Sequence, residues 1–295
     1  MRKILVTGSE GFIGKETVRL LNESGFGVYT LDIKGEGKNH LRADINSQES
    51  REYVIRIKPD VIVHLAAQVE VLSSVHDPFS DLTSNILGTV RMLEAGKLGG
   101  VKEFIFVGSG GAIYSSDNEM PVNEDGRILP VSPYGVSKLA AENYVRVLSE
   151  LNDIGWTSLA LSNCYGSIAA HPRGVIFEFF KKITSKESAI INGPEVTRDF
   201  IHVRDVANAI YIAIGKPTNS RLNISSNTEV TLGQLFEMIS KLLESDVKPI
   251  FQPPREGDVL RSRLDNSKAK KILNWFPTIT LDEGLRENIS GENRV

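Results

Sequence analysis

The feature that most constrains this sequence is a glycine-rich turn near its start. The apolar run 3–7 leads directly into Gly8, Gly11 and Gly14, whose G-x-x-G-x-x-G spacing opens a helix-length segment. The first glycine permits a tight turn, the second lets the backbone approach a pyrophosphate, and the third lets helix and strand pack closely. Free N–H groups at the start of the helix then face the anion. The turn therefore predicts a dinucleotide-binding α/β fold.

Strands and helices alternate through the first half of the chain. The predicted strands are short, nearly continuous apolar runs, as expected for parallel strands covered on both faces. They span 3–7, 28–32, 61–66, 104–108 and 156–161. The predicted helices span 12–24, 47–57, 79–98 and 133–151. This alternation implies right-handed crossovers and a doubly wound parallel sheet, the Rossmann arrangement.

The second half is less regular, because Pro172-Arg173-Gly174 and Gly193-Pro194 interrupt it. Further helices are predicted at 175–186, 203–215, 231–244 and 267–274, and a loop at 248–258. We expect a smaller C-terminal substrate-binding lobe beside the nucleotide-binding domain. The expected division is 1–163 with about 196–225 for the nucleotide-binding domain, and 164–195 with 226–295 for the lobe.

An acidic residue ends the second predicted strand. Asp32 lies eighteen positions beyond the last glycine of the turn. A carboxylate there accepts hydrogen bonds from a ribose 2′-OH and repels a 2′-phosphate, which favours NAD over NADP. Lys34 and Lys38 lie nearby in sequence and weaken that preference. After the next short strand, Asp44 and Ile45 are placed to hold the adenine amine and the adenine face.

A tyrosine and a lysine four residues apart follow later. Tyr134 and Lys138 share one face of a predicted helix, and Ser132-Pro133 supplies its N-cap and first-turn proline. A phenol titrates near pH 10 and is a poor base at neutral pH. An ammonium about 4 Å away contributes on the order of 4 kcal/mol at an effective dielectric near 20, roughly three pKa units before desolvation is subtracted. Such pairs are common on amphipathic helices. Behind a nucleotide-binding half, this one predicts a tyrosinate that takes a hydroxyl proton as hydride leaves the same carbon.

Charge and cysteine content narrow the partners and the compartment. The formal net charge of −3 gives no support for a nucleic-acid or membrane-surface role, which would favour a basic face. The single cysteine, Cys164, cannot form an internal disulfide, so a reducing, cytoplasmic compartment is expected. No apolar run is long enough to cross a bilayer. We therefore expect no nucleic-acid partner, no membrane partner and no metal site.

Taken in order along the chain, these residues resemble the extended short-chain dehydrogenase/reductases. Within them, the sequence is similar to the NAD-dependent epimerase/dehydratase group and its UDP-glucose 4-epimerase-like nucleotide-sugar epimerases. The resemblance runs nearly end to end, as far as Gly284. Besides the features above, the matching segments are His64-Leu65-Ala66-Ala67-Gln68, Ser74 with Pro78, Asn85, 109–114, Asn163-Cys164-Tyr165-Gly166, Arg198-Asp199-Phe200-Ile201-His202-Val203, Arg255-Glu256-Gly257-Asp258 and 265–275.

The resemblance implies NAD as cofactor, a nucleoside-diphosphate sugar as substrate, and a homodimer formed through the helices near 79–98 and 133–151. Asn163 is expected to hydrogen-bond the substrate diphosphate, and Arg198 and Arg255 to pair with its phosphates, which suits the bidentate geometry of arginine. Asp258 is expected beside the nucleotide sugar or ribose. The cofactor-binding residues implied by turn and family together are Gly8, Gly11, Phe12, Ile13, Gly14, Asp32, Asp44, Ile45, Leu65, Ala66, Ala67, Gln68, Asn85, Tyr134 and Lys138.

The family normally carries a third catalytic group, a Ser or Thr hydroxyl on the reacting oxygen. Gly110 occupies the position where that hydroxyl is commonest, so Ser109, one place earlier, is the candidate. Adjacent strand residues point to opposite faces, which counts against it. Gly111 and Ala112 stand where the 4,6-dehydratases place Asp and Glu, so a dehydratase is disfavoured. A decarboxylase is disfavoured because it needs a glutamate near Ala112.

The leading hypothesis is an epimerase that acts at C4 of a UDP-sugar through a transient 4-keto intermediate. The alternative is a nucleotide-sugar dehydrogenase or 4-ketoreductase that exchanges NAD(P) at every turnover. A third hypothesis is a non-catalytic NAD-binding regulatory protein on the same fold, since a fold alone does not fix function. Ala160, Ser162 and Ser167 depart from the family pattern around the diphosphate site, so the sugar and the nucleotide stay open.

Overall fold

A seven-stranded parallel sheet forms the centre of the fold. The computed structural model describes residues 1–167, 173–254 and 259–288. Its strands, numbered in chain order, are β1 (Lys3–Thr7), β2 (Gly27–Asp32), β3 (His40–Arg42), β4 (Val61–His64), β5 (Glu103–Ser109), β6 (Gly155–Leu161), β7 (Asn163–Tyr165), β8 (Ile190–Asn192), β9 (Thr197–Arg198), β10 (Phe200–His202), β11 (Ser220–Ile224), β12 (Val230–Thr231) and β13 (Ile250–Gln252). The central sheet has the order β11-β6-β5-β4-β1-β2-β3, and each neighbouring pair is parallel. The order reverses between β1 and β4, and ligands of such sheets bind beyond the carboxyl ends of the strands at this reversal.

Helices cover both faces of the sheet. They are α1 (Phe12–Glu23), α2 (Gln48–Ile57), α3 (Val71–His76), α4 (Pro78–Leu82), α5 (Gly88–Gly99), α6 (Gly110–Ile113), α7 (Pro133–Glu150), α8 (Gly174–Thr184), α9 (Val203–Ala213), α10 (Leu232–Leu242), α11 (Ser267–Leu273) and α12 (Leu281–Glu287). A π-helical turn, Thr83–Leu87, joins α4 to α5. On one face α1 packs with α9, and on the other α2 packs with α5. This is the doubly wound α/β fold that the sequence predicts.

The apolar strands contribute side chains to two separate hydrophobic clusters, one on each face of the sheet. In β1, Ile4 and Val6 belong to the cluster that contains Leu21 of α1, whereas Leu5 belongs to the one that contains Met92 of α5. Successive strand residues point to opposite faces, so a strand covered on both sides must be apolar at every position. All three β1 side chains are fully buried. The near-continuous runs in the sequence follow from this arrangement.

A third hydrophobic cluster is built from residues beyond 164. It includes Tyr165, Phe179, Phe180, Leu235, Phe236 and Leu285. The C-terminal segment is fixed to α9 by Asp205, whose carboxylate accepts hydrogen bonds from the Thr278 N–H (2.9 Å), the Thr278 hydroxyl (2.7 Å) and the Ile279 N–H (3.1 Å). This third cluster is separate from the two that cover the central sheet. Over the residues that the structure describes, no helix has both the length and the apolar character needed to cross a membrane.

Two of the predicted segments differ from the structure in a way that bears on the fold. The single helix predicted over 79–98 contains the π turn at Thr83–Leu87, which inserts an extra residue into the helical ladder. The loop predicted over 248–258 contains β13, which pairs in parallel with β8. The prolines that flank this strand suggested an irregular segment, but pairing with a distant strand decides its conformation.

Candidate active site

The glycine turn lies at the carboxyl end of β1, and its geometry excludes side chains. Gly8 has φ +68°, and an added Cβ would lie 2.6 Å from the Ala66 nitrogen. A Cβ at Gly14 would overlap the Gly8 carbonyl oxygen and lie 2.8 Å from Ser9 Cα. A Cβ at Gly11 would meet only the Gly8 carbonyl oxygen, at 3.2 Å. Because α1 begins at Phe12 and has no side-chain cap, this open side of the turn fits a pyrophosphate.

Asp32 joins the glycine turn to the loop after β2. Its Oδ2 accepts the Glu10 N–H at 2.9 Å, and its Oδ1 accepts the Lys34 N–H at 3.0 Å. The carboxylate is thus held at the edge of the turn, where a ribose hydroxyl of a dinucleotide would lie. Asp44 is exposed and accepts the Asn46 N–H at 2.7 Å, while Ile45 is buried. The geometry of this loop therefore suits an adenosine group.

A buried chain of hydrogen bonds runs from the glycine turn towards α5. Thr7 Oγ1 lies 2.8 Å from His64 Nδ1, and His64 Nε2 lies 3.1 Å from Thr89 Oγ1. The Thr89 hydroxyl donates to the Asn85 carbonyl at 2.6 Å, so it accepts from His64 Nε2–H, which leaves Nδ1 to accept from Thr7. Burial, together with a smaller effect of the Lys138 charge, lowers the pKa of His64 to about 3. The imidazole is therefore neutral.

Asn85 links this chain to α7. It sits in the π turn, a feature that redirects a side chain out of the regular helical pattern. Its Nδ2 lies 3.0 Å from both Asp81 Oδ1 and Ser137 Oγ and 3.1 Å from the Gln68 carbonyl, and its Oδ1 accepts the Gln68 N–H at 2.8 Å. The Ser137 hydroxyl donates to the Tyr134 carbonyl at 3.0 Å. Buried side chains thus connect the glycine turn to the tyrosine.

The predicted tyrosine and lysine lie on the first turns of α7. Ser132 caps this helix by accepting the Gly135 N–H at 3.1 Å, and the Tyr134 N–H donates to Ser74 Oγ, also at 3.1 Å. Tyr134 is partly exposed, whereas Lys138 is buried with its ammonium 4.4 Å from the centre of the Phe106 ring. The aromatic face partly replaces the water that the ammonium loses.

Burial controls the protonation of both groups. Burial raises the pKa of Tyr134, the Asp81 carboxylate raises it further, and hydrogen bonding to the Ser109 side chain opposes these effects. Burial lowers the pKa of Lys138 to about 8, against the carboxylates of Glu142 and Asp81, which raise it. The chain by itself therefore shows no net lowering of the phenol pKa. Desolvation, which was not included in the expected effect of the ammonium, is the largest influence on Tyr134.

The third hydroxyl is brought to the tyrosine by the end of β5. Ser109 is the last residue of this strand and the hydrogen-bonding partner of the Tyr134 side chain. At Gly110 an added Cβ would overlap Leu264 Cδ1 and lie 3.4 Å from the Ala160 carbonyl oxygen. A side chain at position 110 would require Leu264 to move, whereas the Ser109 hydroxyl is already hydrogen-bonded to Tyr134.

The predicted substrate-binding residues are only partly described. Asn163, exposed on β7, donates its backbone N–H to the Asp199 carbonyl at 2.9 Å, and a Cβ at Gly111 would lie 3.9 Å from Asn163 Oδ1. The side chain of Asn163 is therefore close to the segment that follows Ser109. Arg198 Nη1 donates to the carbonyls of Thr197 and Val259, both at 2.7 Å. Arg255 and Asp258 lie outside the described residues.

Sequence reasoning assigned no role to several residues that shape the site. Asp81 lies four residues before Asn85, and Glu142 lies four residues after Lys138, spacings that place each pair on one helix face. The four-residue spacing could have revealed these two pairs. The contacts of His64 and Ser74 could not be found in this way, because their partners come from distant parts of the chain. Within the three described ranges, no cluster of three His, Cys, Asp or Glu side chains could hold a metal ion.

The central sheet, the glycine turn and the pair on α7 together define an NAD-binding protein of the short-chain dehydrogenase/reductase type. The chain matches the NAD dependent epimerase/dehydratase family over residues 4–225. UDP-glucose 4-epimerase of Mycolicibacterium smegmatis is 34% identical, over 97% of each chain. The protein therefore belongs to the NAD-dependent epimerase/dehydratase family, as the resemblance predicts.

Two solved structures show the same architecture. UDP-glucose 4-epimerase of Thermotoga maritima with UDP-glucose superposes with a TM-score of 0.91, at 36% identity, over 96% of each chain. UDP-glucose 4-epimerase of Thermus thermophilus in complex with NAD superposes with a TM-score of 0.88, at 30% identity, over 98% of this chain and 99% of that one. The predicted cofactor, NAD, is confirmed at the level of the family.

Proposed function

We propose that this protein is an NAD-dependent nucleotide-sugar epimerase that inverts C4 of a UDP-sugar through a transient 4-keto intermediate. The observation that carries the proposal is the pairing of Ser109, at the carboxyl end of β5, with Tyr134 on α7. Tyr134 is hydrogen-bonded to Ser109, and Lys138 lies one helical turn further along α7. A series of buried hydrogen bonds joins this tyrosine to the end of β1, where the glycine turn suited to a dinucleotide begins.

The residues of the chain handle the proton while hydride leaves C4. Tyr134 takes the proton of the 4-hydroxyl, and Ser109 donates a hydrogen bond to the same oxygen. Lys138 stabilises the tyrosinate electrostatically. NAD supplies the hydride acceptor and, when oxidised, a positive charge. For inversion at C4, the 4-keto sugar would have to present its other face to the cofactor before the reverse reaction. Tyr134 would then return the proton to the same oxygen, so no net oxidation would occur.

The raised pKa of Tyr134 fits this cycle. In the chain by itself burial holds the phenol protonated, so Tyr134 is an acid at rest. Ionisation requires an added positive charge near the ring, and a bound oxidised cofactor meets that requirement. Tyr134 would therefore act as a base only when oxidised NAD is bound, and would stay protonated in protein without cofactor.

The substrate would lie between the two parts of the chain. We propose that residues 1–163 with about 196–225 bind NAD, and that 164–195 with 226–295 form the substrate-binding lobe. Asn163 would hydrogen-bond the diphosphate, Arg198 and Arg255 would pair with its phosphates, and Asp258 would contact the nucleotide. The position of the Asn163 amide near Gly111, next to Ser109, supports this placement.

Exposed apolar side chains support a homodimer. On α4 and the end of α5, Phe79 is 80% exposed and Leu98 is 55% exposed. On α7, Tyr144 and Val147, with Leu151 just beyond the helix, form one exposed stripe. A symmetric contact through these helices would cover the stripe on α7 and the exposed side chains of α4 and α5. The pair Phe79→Glu and Val147→Glu should produce monomers in sedimentation analysis, whereas Leu260→Glu, on another exposed surface, should not.

We also propose a cytoplasmic location. The chain has a single cysteine and so cannot form an internal disulfide, which suits a reducing compartment.

The proposed reaction is tested by incubating the purified protein with UDP-glucose or UDP-galactose, without added NAD, and measuring the conversion of each into the other. Interconversion of the two, with NAD released on denaturation, is the expected result, because an epimerase regenerates its cofactor in every cycle. A requirement for stoichiometric NAD(H) would instead show the dehydrogenase or 4-ketoreductase alternative. Retained NAD without turnover of any nucleoside-diphosphate sugar would indicate a non-catalytic NAD-binding protein.

A further inference from the structure

Two buried carboxylates lie near Lys138, and they differ in how their charge is balanced. Glu142 accepts hydrogen bonds from Arg221 Nε, at 2.8 Å, and from Arg221 Nη2, and its other oxygen accepts the Ser158 hydroxyl at 2.6 Å. Asp81, 1% exposed, accepts hydrogen bonds from two neutral amides, Asn85 Nδ2 at 3.0 Å and Gln68 Nε2 at 3.2 Å. Glu142 is paired with a guanidinium, whereas the two side chains hydrogen-bonded to Asp81 are neutral amides.

Asp81 lies close enough to Tyr134 and Lys138 for its charge to act on both groups. The Asn85 amide that it holds also reaches Ser137, in the turn of α7 between Tyr134 and Lys138. The charged and titratable groups packed around the site are Tyr134, Lys138 and Glu142 on α7, Arg221 on β11 and neutral His64 on β4. A buried anion favours a neighbouring ammonium and disfavours a neighbouring phenolate, because little water screens either interaction.

We propose that Asp81 is a positioning residue that keeps Lys138 charged and Tyr134 protonated, so that the base forms only in the loaded site. The inference rests on the proposed function and adds a second group that delays ionisation of the phenol. The electrostatic effects agree in direction. Glu142 has the larger effect on Lys138 and raises its pKa, and the Asp81 carboxylate raises the pKa of both Lys138 and Tyr134.

The variant Asp81→Asn removes the charge and keeps the contacts. Both hydrogen bonds of the carboxylate use Oδ1, so the amide oxygen of asparagine can accept them both. Asp77→Asn is the matched control. It removes an exposed charge from the N-cap of the same helix, a position where Asp and Asn serve equally well.

The experiment is a titration of the Tyr134 phenol by ultraviolet difference absorbance of the purified protein. Each spectrum is read against the same variant carrying Tyr134→Phe, which cancels the other tyrosines. In Asp81→Asn the midpoint should fall by about one pH unit, a tenfold change in the ionisation constant, and in Asp77→Asn it should stay in place. An unmoved midpoint in folded Asp81→Asn would overturn the proposal.

A second variant, Gln68→Leu, tests the proposal if Asp81→Asn does not fold. Gln68→Leu keeps the charge of Asp81 and removes one of its hydrogen bonds, so the phenol midpoint should stay in place or rise. A fall in that midpoint would contradict the proposal. Because the titration needs no turnover, absence of epimerase activity would refute the proposed function without touching the result for Asp81.

Discussion

A side chain at position 110 would run into Leu264, because a Cβ on Gly110 would overlap Leu264 Cδ1. Leu264 is itself 2% exposed and packs with Ile113 and Val122, so it has little room to move. We therefore propose that the site uses the hydroxyl one residue earlier, on Ser109, rather than at the commoner position.

This relationship predicts opposite outcomes for two neighbouring variants. Ser109→Ala should fold normally but lower kcat, and should move the acidic limb of its pH profile upwards, because the Ser109 hydrogen bond lowers the pKa of Tyr134. Gly110→Ser should lose about 1–3 kcal/mol of stability through overpacking. Thermal unfolding and steady-state kinetics separate the two effects. Rescue of Ser109→Ala by Gly110→Ser would show that position 110 can carry the hydroxyl after all.

Removal of the phenol oxygen should abolish proton transfer without loss of the cofactor site. Tyr134→Phe keeps the ring, and the backbone N–H that donates to Ser74 is unaffected. We expect kcat to fall by about 10²- to 10⁴-fold, the usual contribution of a general base, with the NAD content unchanged. Unaltered turnover of the natural substrate in this variant would exclude Tyr134 as the base.

The local parts of the site could be predicted from the sequence, and the long-range parts could not. The glycine turn and the Tyr134–Lys138 pair each lie within one turn or helix, where spacing alone fixes the geometry. The roles of His64 and Asp81 depend on contacts between segments far apart in the chain and on a π turn that hydrophobic spacing does not reveal. The raised pKa of Tyr134 in the chain by itself could not be predicted for a related reason, since the sequence does not show how far the fold removes a phenol from water. The roles of Arg255 and Asp258 stay predictions.

The glycine turn should distinguish effects on folding from effects on NAD. Gly14→Ala places a methyl group against the Gly8 carbonyl and Ser9, so it should destabilise the fold by about 1–3 kcal/mol and abolish NAD retention. Gly11→Ala meets the Gly8 carbonyl oxygen alone, so it should lose NAD with a smaller change in stability. Thermal unfolding and the NAD released on denaturation measure the two effects. Full NAD retention in Gly11→Ala would show that the pyrophosphate does not approach this glycine.

Acid should weaken the protein through His64. Burial lowers its pKa to about 3, whereas the unfolded chain regains the ordinary value near 6.5. Between these values the unfolded state binds more protons, so the free energy of unfolding falls as the pH drops through this window and is fully retained above it.

The variant His64→Gln isolates this effect because glutamine does not titrate. At neutral pH it should cost about 1–3 kcal/mol, since the hydroxyls of Thr7 and Thr89 lose a well-placed buried partner. As the pH falls towards 4, the wild type should lose stability faster than the variant, and the gap between their melting temperatures should narrow. A gap that stays constant over this range would mean that His64 is protonated in the folded protein without cost, which its two buried hydrogen bonds would not permit.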